Sequence, residues 1–264
     1  MNTGNKPKPP VLLVHGMWAT SAMLAELKTA FEEQGYDVEA LTLPFHQEKS
    51  TYGKAEKARL ARASLQDYVD FIISRVKSAA APPILVGHSM GGLLAQLVAA
   101  RVPCAKLVLL SSAAPGGING WSWSMIRTLG RNLFLFPLWR RVTELRAGNI
   151  RYGIANTQSA AIQEQILALA TYESGMATFQ IGIGGMLPGG FSRVDAQAVR
   201  CPVLVIGGNK DRITPFRIQR RIAAMYGAQA QLVQIPGACH WVVGGTNFPA
   251  VCAELFGWLD GTGA

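Results

Sequence analysis

Pro83-Ile84-Leu85-Val86-Gly87-His88-Ser89-Met90-Gly91-Gly92-Leu93-Leu94 is the stretch whose reading decides the fold. A short apolar run rich in β-formers meets Gly-x-Ser-x-Gly and passes without a linker into a helical pattern. In that order, strand then tight turn then helix, the serine sits at a sharp turn with its hydroxyl pushed clear of the chain. Gly87 and Gly91 lack the β-carbons that would block so close a strand-to-helix crossing. The following helix begins at the turn, so its free N–H groups and positive dipole end face Ser89. Ser89 is the expected nucleophile.

Outward from this turn, strands and helices alternate. Val11-Leu12-Leu13-Val14 is a continuous apolar run, as expected of a strand buried on both faces of a parallel sheet. It ends in His15-Gly16-Met17-Trp18, after which Ser21 can cap a helix through Gln34, with Leu24, Leu27 and Phe31 on one face. Val38 to Leu43 reads as a strand, and a long helical segment runs to Ala79, where Pro82-Pro83 excludes any continuation. After the Ser89 turn and a helix to Arg101, strands are expected at Lys106 to Leu110, Val203 to Ile206 and Gln231 to Ile235. Helices are expected at Pro215 to Tyr226 and Thr246 to Leu259. This alternation predicts an α/β fold with a doubly wound, mainly parallel sheet of about six strands.

One interval breaks the alternation. About ninety residues separate Leu110 from Val203, too many for a structureless loop inside a compact domain. Ile162, Ile166 and Leu169 recur there at helical spacing. Residues 115–195 are therefore expected to form a helical cap over the strand ends, with 1–114 and 196–264 forming the core.

Composition limits the alternatives. Hydrophobic residues make up 49% and charged ones 16% of the 264 residues, the balance of a globular chain with a large core. No apolar run approaches the ~18 residues of a membrane span. The first ten residues show no hydrophobic signal segment, so a cytoplasmic protein is expected. Cys104, Cys201, Cys239 and Cys252 form no C-x-x-C pair and no metal spacing, so free thiols are the default. The net charge of +9 comes without a nucleic-acid-binding motif. An anionic substrate or an acidic surface is the better use of that charge.

An activated serine needs a base, an acid to orient the base, and donors for the oxyanion. Of the four histidines, His88 lies inside the turn, His15 lies beside the first strand end, and His46 lies on a loop with no partner signal. His240 follows the last strand, where a loop can bring it over Ser89. Asp211, in Gly207-Gly208-Asn209-Lys210-Asp211-Arg212, leaves a strand at the same sheet edge. Its bland alternative is a helix cap paired with Lys210 or Arg212. Ser111-Ser112-Ala113-Ala114 offers no carboxylate at the rival position.

With His15-Gly16-Met17-Trp18, the Ser89 turn, the Asp211 loop and His240 in order, the chain resembles the α/β-hydrolase-fold serine hydrolases along nearly its whole length. The resemblance implies esterase- or lipase-like activity with Ser89, Asp211 and His240 as the triad. It also implies backbone N–H oxyanion donors at Met17 and Met90. No metal or organic cofactor is implied. The early His-Gly strand indicates the short form of the fold, without an N-terminal hairpin. Plant hydroxynitrile lyases share that short start but carry lysine after the catalytic histidine, where this chain has Trp241. A serine rather than an aspartate nucleophile argues against epoxide hydrolases and dehalogenases.

The expected substrate is a small-molecule ester with an apolar short- to medium-chain acyl group, anionic or lipid-like in character. Thioesterase, amidase, C–C hydrolase and cofactor-free perhydrolase chemistry use the same triad, and a non-catalytic binding protein shares the fold. Leaving-group choice lives in the pocket, for which Trp18, Trp121, Trp123, Trp139 and Trp241 are the candidates. Within 115–151, six arginines face a single carboxylate, Glu144, and accompany an uncharged run from Leu133 to Trp139. Gly182 to Gly190 reads as a hinge for the second half of the cap.

Overall fold

A computed structural model describes residues 8–182 and 190–261. The expected glycine-rich hinge falls almost wholly outside them. In chain order the elements begin with β1 (Val11–Val14), α1 (Ala25–Glu33), β2 (Val38–Leu41), α2 (Lys54–Arg62) and α3 (Leu65–Ser78). Next come β3 (Ile84–His88), α4 (Met90–Ala99), β4 (Lys106–Leu110), α5 (Trp123–Leu133), β5 (Val142–Glu144) and α6 (Ala147–Asn149). They continue with α7 (Ala160–Leu169), β6 (Tyr172–Ser174), α8 (Gly175–Gly182), β7 (Val203–Gly208), α9 (Phe216–Tyr226), β8 (Ala230–Ile235) and α10 (Phe248–Leu259). Six strands form one parallel sheet in the order β2-β1-β3-β4-β7-β8. No described helix is long and apolar enough to cross a membrane.

The continuous apolar strands follow from burial on both faces. Val11, Leu13, Ile84, Val86, Val108, Leu110, Leu204 and Ile206 pack on one side, with Leu27 and Phe31 of α1 and Val251 and Leu255 of α10. Their alternates Leu12, Val14, Leu85, Leu107, Leu109, Val203 and Val205 face the other side, with residues of α3, α4 and α9. Period-two alternation thus divides each strand between two cores. The chain runs from β1 outward to β2, then returns to place β3 on the other flank of β1. The carboxyl ends of β1 and β3 meet at this reversal, where open α/β sheets place their ligands.

The long helix expected to reach Ala79 is two helices. Ala63 is extended, and Ser64 opens α3 with a reciprocal capping box to Asp67. The break is filled from the interval between β4 and β7. Ser174 Oγ donates to the carbonyl of Ala63 at 2.6 Å, and Leu65 N–H donates to Gln180 Oε1 at 2.8 Å. That interval itself is not all helix, because β5 and β6 pair antiparallel with Thr143 opposite Glu173. Its helix α7 buries Ile166 but leaves Leu169 exposed.

At the end of β3 the chain turns with Ser89 at φ 55° and ψ −119°, a conformation that side chains other than glycine rarely adopt. The glycines around it are steric requirements. A β-carbon on Gly87 would lie 2.2 Å from the carbonyl oxygen of Gly91, and one on Gly91 would lie 2.2 Å from that of Val14. Gly91→Ala is therefore expected to lower the thermal unfolding midpoint, with a cost of about 1–3 kcal/mol from overpacking. Gly148→Ala, where a β-carbon meets nothing within 4 Å, should leave the midpoint unchanged or raise it.

Candidate active site

The turn presents the Ser89 hydroxyl 2.9 Å from His240 Nε2, and His240 Nδ1 lies 2.9 Å from Asp211 Oδ2. A carboxylate opposite Nδ1 requires the proton there, so Nε2 is left as the acceptor for the serine O–H. His240 and Asp211 are buried, whereas Ser89 is half-buried. Three separate segments, with Ser89 151 positions from His240 and Asp211 29 positions from it, thus meet in one hydrogen-bonded line.

Each partner is held by its neighbours. The loops after β7 and β8 bind one another through Lys210 N–H to Ala238 O at 2.9 Å and Gly237 N–H to Asn209 Oδ1 at 2.8 Å. A β-carbon on Gly208 would lie 2.1 Å from the Ala238 carbonyl, so only glycine allows that approach. His88 Nε2 donates to the His240 carbonyl at 3.0 Å. Burial, with His240 nearby, pushes the His88 pKa down to about 3 and leaves its ring neutral. His15, likewise lowered to about 3 mainly by burial, bonds the Gly16 carbonyl through Nδ1 and accepts Leu43 N–H at Nε2.

Asp211 makes contacts of both kinds its position suggested. Oδ1 accepts the backbone N–H groups of Ile213 and Thr214, each at 2.8 Å, which caps the turn before α9. Oδ2 faces His240. Arg212 does not pair with it, donating instead to the Tyr152 carbonyl. Burial alone would raise the Asp211 carboxyl, but the His240 charge and these hydrogen bonds hold it below its ordinary value. Thr214, which the sequence reading did not single out, adds its hydroxyl at 2.8 Å from Asp211 Oδ2, 3.2 Å from His240 Nδ1 and 3.0 Å from the Ser111 carbonyl. Its only local signal is the Asp-x-x-Thr spacing.

His46 does have a partner. Glu173 lies 127 positions away on β6, with its carboxylate 3.1 Å from His46 Nε2 and both side chains fully buried. Burial pulls the His46 pKa down, but the charge and hydrogen bond of Glu173 outweigh it and leave the pKa raised. Glu173 is correspondingly lowered against its own burial. No spacing rule connects residues so far apart in the chain.

Ser89 opens into a cleft with two apolar lobes. The larger is a cavity of about 120 Å³, walled by Ile118, Trp121, Met125, Leu133 and Ile181. The smaller, of about 60 Å³, is walled by Met23, Leu145, Ile154, Ile166 and Trp241. Met17, Trp18, Ser89, Leu129 and Ile213 border both; Met90 borders the larger. Of the five tryptophans expected here, Trp18, Trp121 and Trp241 line the cleft. Trp123 does not: it is 83% exposed on α5. Trp139 also lies elsewhere, with its ring packed edge-on against Phe136 and Phe179. The helical pattern of the aromatics could not distinguish the face turned to the cleft from the one turned to solvent, where Phe134 and Phe136 also lie. Among the described residues, no group of three or more His, Cys, Asp or Glu side chains is gathered as a metal site, and the four cysteines are free.

The chain is similar to a monoacylglycerol lipase of Mycolicibacterium smegmatis, with 24% identity over 274 residues covering 96% of this chain and 88% of that one. It is also similar to a pimeloyl-[acyl-carrier protein] methyl ester esterase of Xanthomonas oryzae pv. oryzae, at 24% identity over 88% of each chain. Among solved structures, the monoacylglycerol lipase of Paleococcus ferrophilus superposes with a TM-score of 0.70 at 21% identity, covering 97% of both chains. A pyrethroid hydrolase of Sphingobium faniae JZ-2 also scores 0.70, at 18% identity over 96% of this chain and 97% of that one. The model of the alpha/beta hydrolase family matches residues 11–255, from the first strand into the last helix, and the chain belongs to that family.

Proposed function

We propose that this protein is a serine carboxylic-ester hydrolase working through an acyl-Ser89 intermediate. The observation that carries the proposal is the pair of 2.9 Å contacts joining Asp211, His240 and a strained, cleft-facing Ser89. Relatives named as a lipase and as a methyl ester esterase support esters as the substrate class.

In this reading His240 Nε2 takes the Ser89 proton as Oγ attacks the ester carbonyl. Asp211 stabilises the imidazolium that forms, and Thr214 holds the carboxylate in line. The oxyanion is received by the backbone N–H groups of Met17 and Met90. Met90 is the first residue of α4, so its N–H has no intrahelical partner and carries the positive end of the helix dipole. Each such donor contributes about 3–4 kcal/mol to the transition state. His240 then returns the proton to the leaving alkoxide, and a water activated by the same nitrogen releases the acid from Ser89. Residues 115–195 act as the cap. Trp121, Met125, Leu129, Leu133 and Ile181 from this segment wall the larger lobe, which suits an apolar acyl chain, and the smaller lobe suits the alcohol.

Ser89→Ala and His240→Ala should each remove almost all hydrolysis of p-nitrophenyl esters, and the double variant should cost hardly more than either alone. A Ser89→Ala variant with more than a few per cent of the rate would refute the nucleophile. Along the acyl series, kcat/KM should climb from acetyl to medium-chain esters by up to about fourfold per methylene, the equivalent of ~0.8 kcal/mol of burial. Trp121→Ala should flatten that climb, and Trp123→Ala should leave it unchanged. A profile highest at acetyl would exclude the larger lobe as the acyl site.

A further inference from the structure

Trp18 follows Met17, and its backbone is left-handed at φ 58°, which is costly for a bulky residue. Three hydrogen bonds hold it there, and all come from the segment between β4 and β7. Its N–H donates to Glu173 Oε2 at 3.3 Å, its carbonyl accepts Thr171 N–H at 2.9 Å, and its indole N–H donates to Thr143 Oγ1 at 2.9 Å.

Glu173 is the centre of this anchorage. Oε2 faces Trp18 N–H and His46 Nε2, while Oε1 accepts the Tyr68 hydroxyl at 3.0 Å and Ser174 N–H at 2.7 Å. Four donors on two oxygens match an ionised carboxylate and no other side chain. An amide in either orientation would turn its NH₂ against a backbone N–H. His46 is matched in the same way: Nδ1 lies 3.2 Å from the Pro44 carbonyl and Nε2 beside the carboxylate. Both ring nitrogens face acceptors, so the ring is the imidazolium.

A buried ion pair contributes little net stability compared with well-packed apolar residues. Its geometric effect here is specific, because it fixes the peptide next to Met17. We propose that Glu173 is a positioning residue of the reaction, the cap's carboxylate that holds the Met17–Trp18 backbone in the conformation oxyanion binding requires. On this view the cap both roofs the cleft and completes the oxyanion site. The inference rests on the acyl-Ser89 reading.

The test uses the full-length protein and three measurements on Glu173→Gln. These are kcat/KM for p-nitrophenyl butyrate, Ki for a trifluoromethyl ketone of the same chain, which forms a hemiketal at Ser89, and Kd for the corresponding unreactive ether. A positioning role predicts a fall in kcat/KM of about ten- to a hundredfold. It also predicts a rise in the ketone Ki by the same factor and an ether Kd within about twofold of the wild type. Thr143→Val, which removes the indole anchor and the 3.4 Å bond from Thr143 Oγ1 to the Glu173 carbonyl but leaves the Glu173 carboxylate in place, serves if Glu173→Gln does not fold, and should shift kcat/KM and ketone Ki together by about threefold. The inference is overturned if the folded variant loses thermal stability while kcat/KM and ketone Ki stay at wild-type values. It is equally overturned if the ether Kd weakens as much as the ketone Ki. The Ser89→Ala variant separates the two levels. If it stays active the acyl-Ser89 reading itself falls, whereas if it is inactive and Glu173→Gln is unimpaired only the positioning role falls.

Discussion

The close crossing of α4 over β1 and β3 is the constraint on which the rest of this structure depends. At the end of β3 the chain must reverse into a helix within one residue, and the backbones of Gly87, Gly91 and Val14 come closer than any β-carbon allows. That crossing forces Ser89 into its left-handed conformation and starts α4 at Met90. It also brings the loop after β1 against the turn, since a β-carbon on Gly16 would lie 3.0 Å from Ser89 Cβ. The Ser89 hydroxyl, a helix N-terminus and the Met17 backbone are thereby gathered by packing rather than by any attraction among them.

Parallel strands then bring the remaining groups to the same edge. Because every connection returns to the amino end of the sheet, the residues after β7 and β8 emerge at the same edge as those after β3, on the far side of β4. The Asp211 and His240 loops are tied to one another and to His88 before either touches Ser89. Polar groups that would be costly to bury alone are satisfied in pairs here: Asp211 by His240, Thr214 and two backbone N–H groups, and Glu173 by His46, Tyr68 and two more. The two carboxylates differ in chain position. Asp211 belongs to the sheet edge, whereas Glu173 arrives from the segment between β4 and β7 and reaches the loop after β1.

That second connection bears on how substrate preference relates to catalytic geometry. The segment that walls the apolar lobes also holds the Trp18 backbone on both its donor and acceptor sides. Substitutions there that enlarge or narrow the cleft act on a framework that is also hydrogen-bonded to the loop beside Ser89. The exposed aromatics of the same segment, Trp123, Phe134 and Phe136, lie on its outer face and belong to neither lobe.

The sequence by itself determined the sheet, the turn and the order of the polar residues. Buried strands must be continuously apolar, a turn this tight requires glycine at two positions, and a strand end followed by a helix start marks the functional edge. These are local rules, legible at Val11–Val14, at Gly87-His88-Ser89-Met90-Gly91 and at the loops carrying Asp211 and His240. Tertiary structure alone decided which faces of the amphipathic segments turn inward. It put Trp121 in the cleft and Trp123 in solvent, and it broke the long helix at Ser64, where Ser174 and Gln180 supply bonds from more than a hundred residues away. It also decided that His46, which has no partner in its own loop, meets Glu173 in the core. Burial is a property of the assembled fold, and a buried charge finds its counter-charge through space, so neither leaves a periodic trace along the chain.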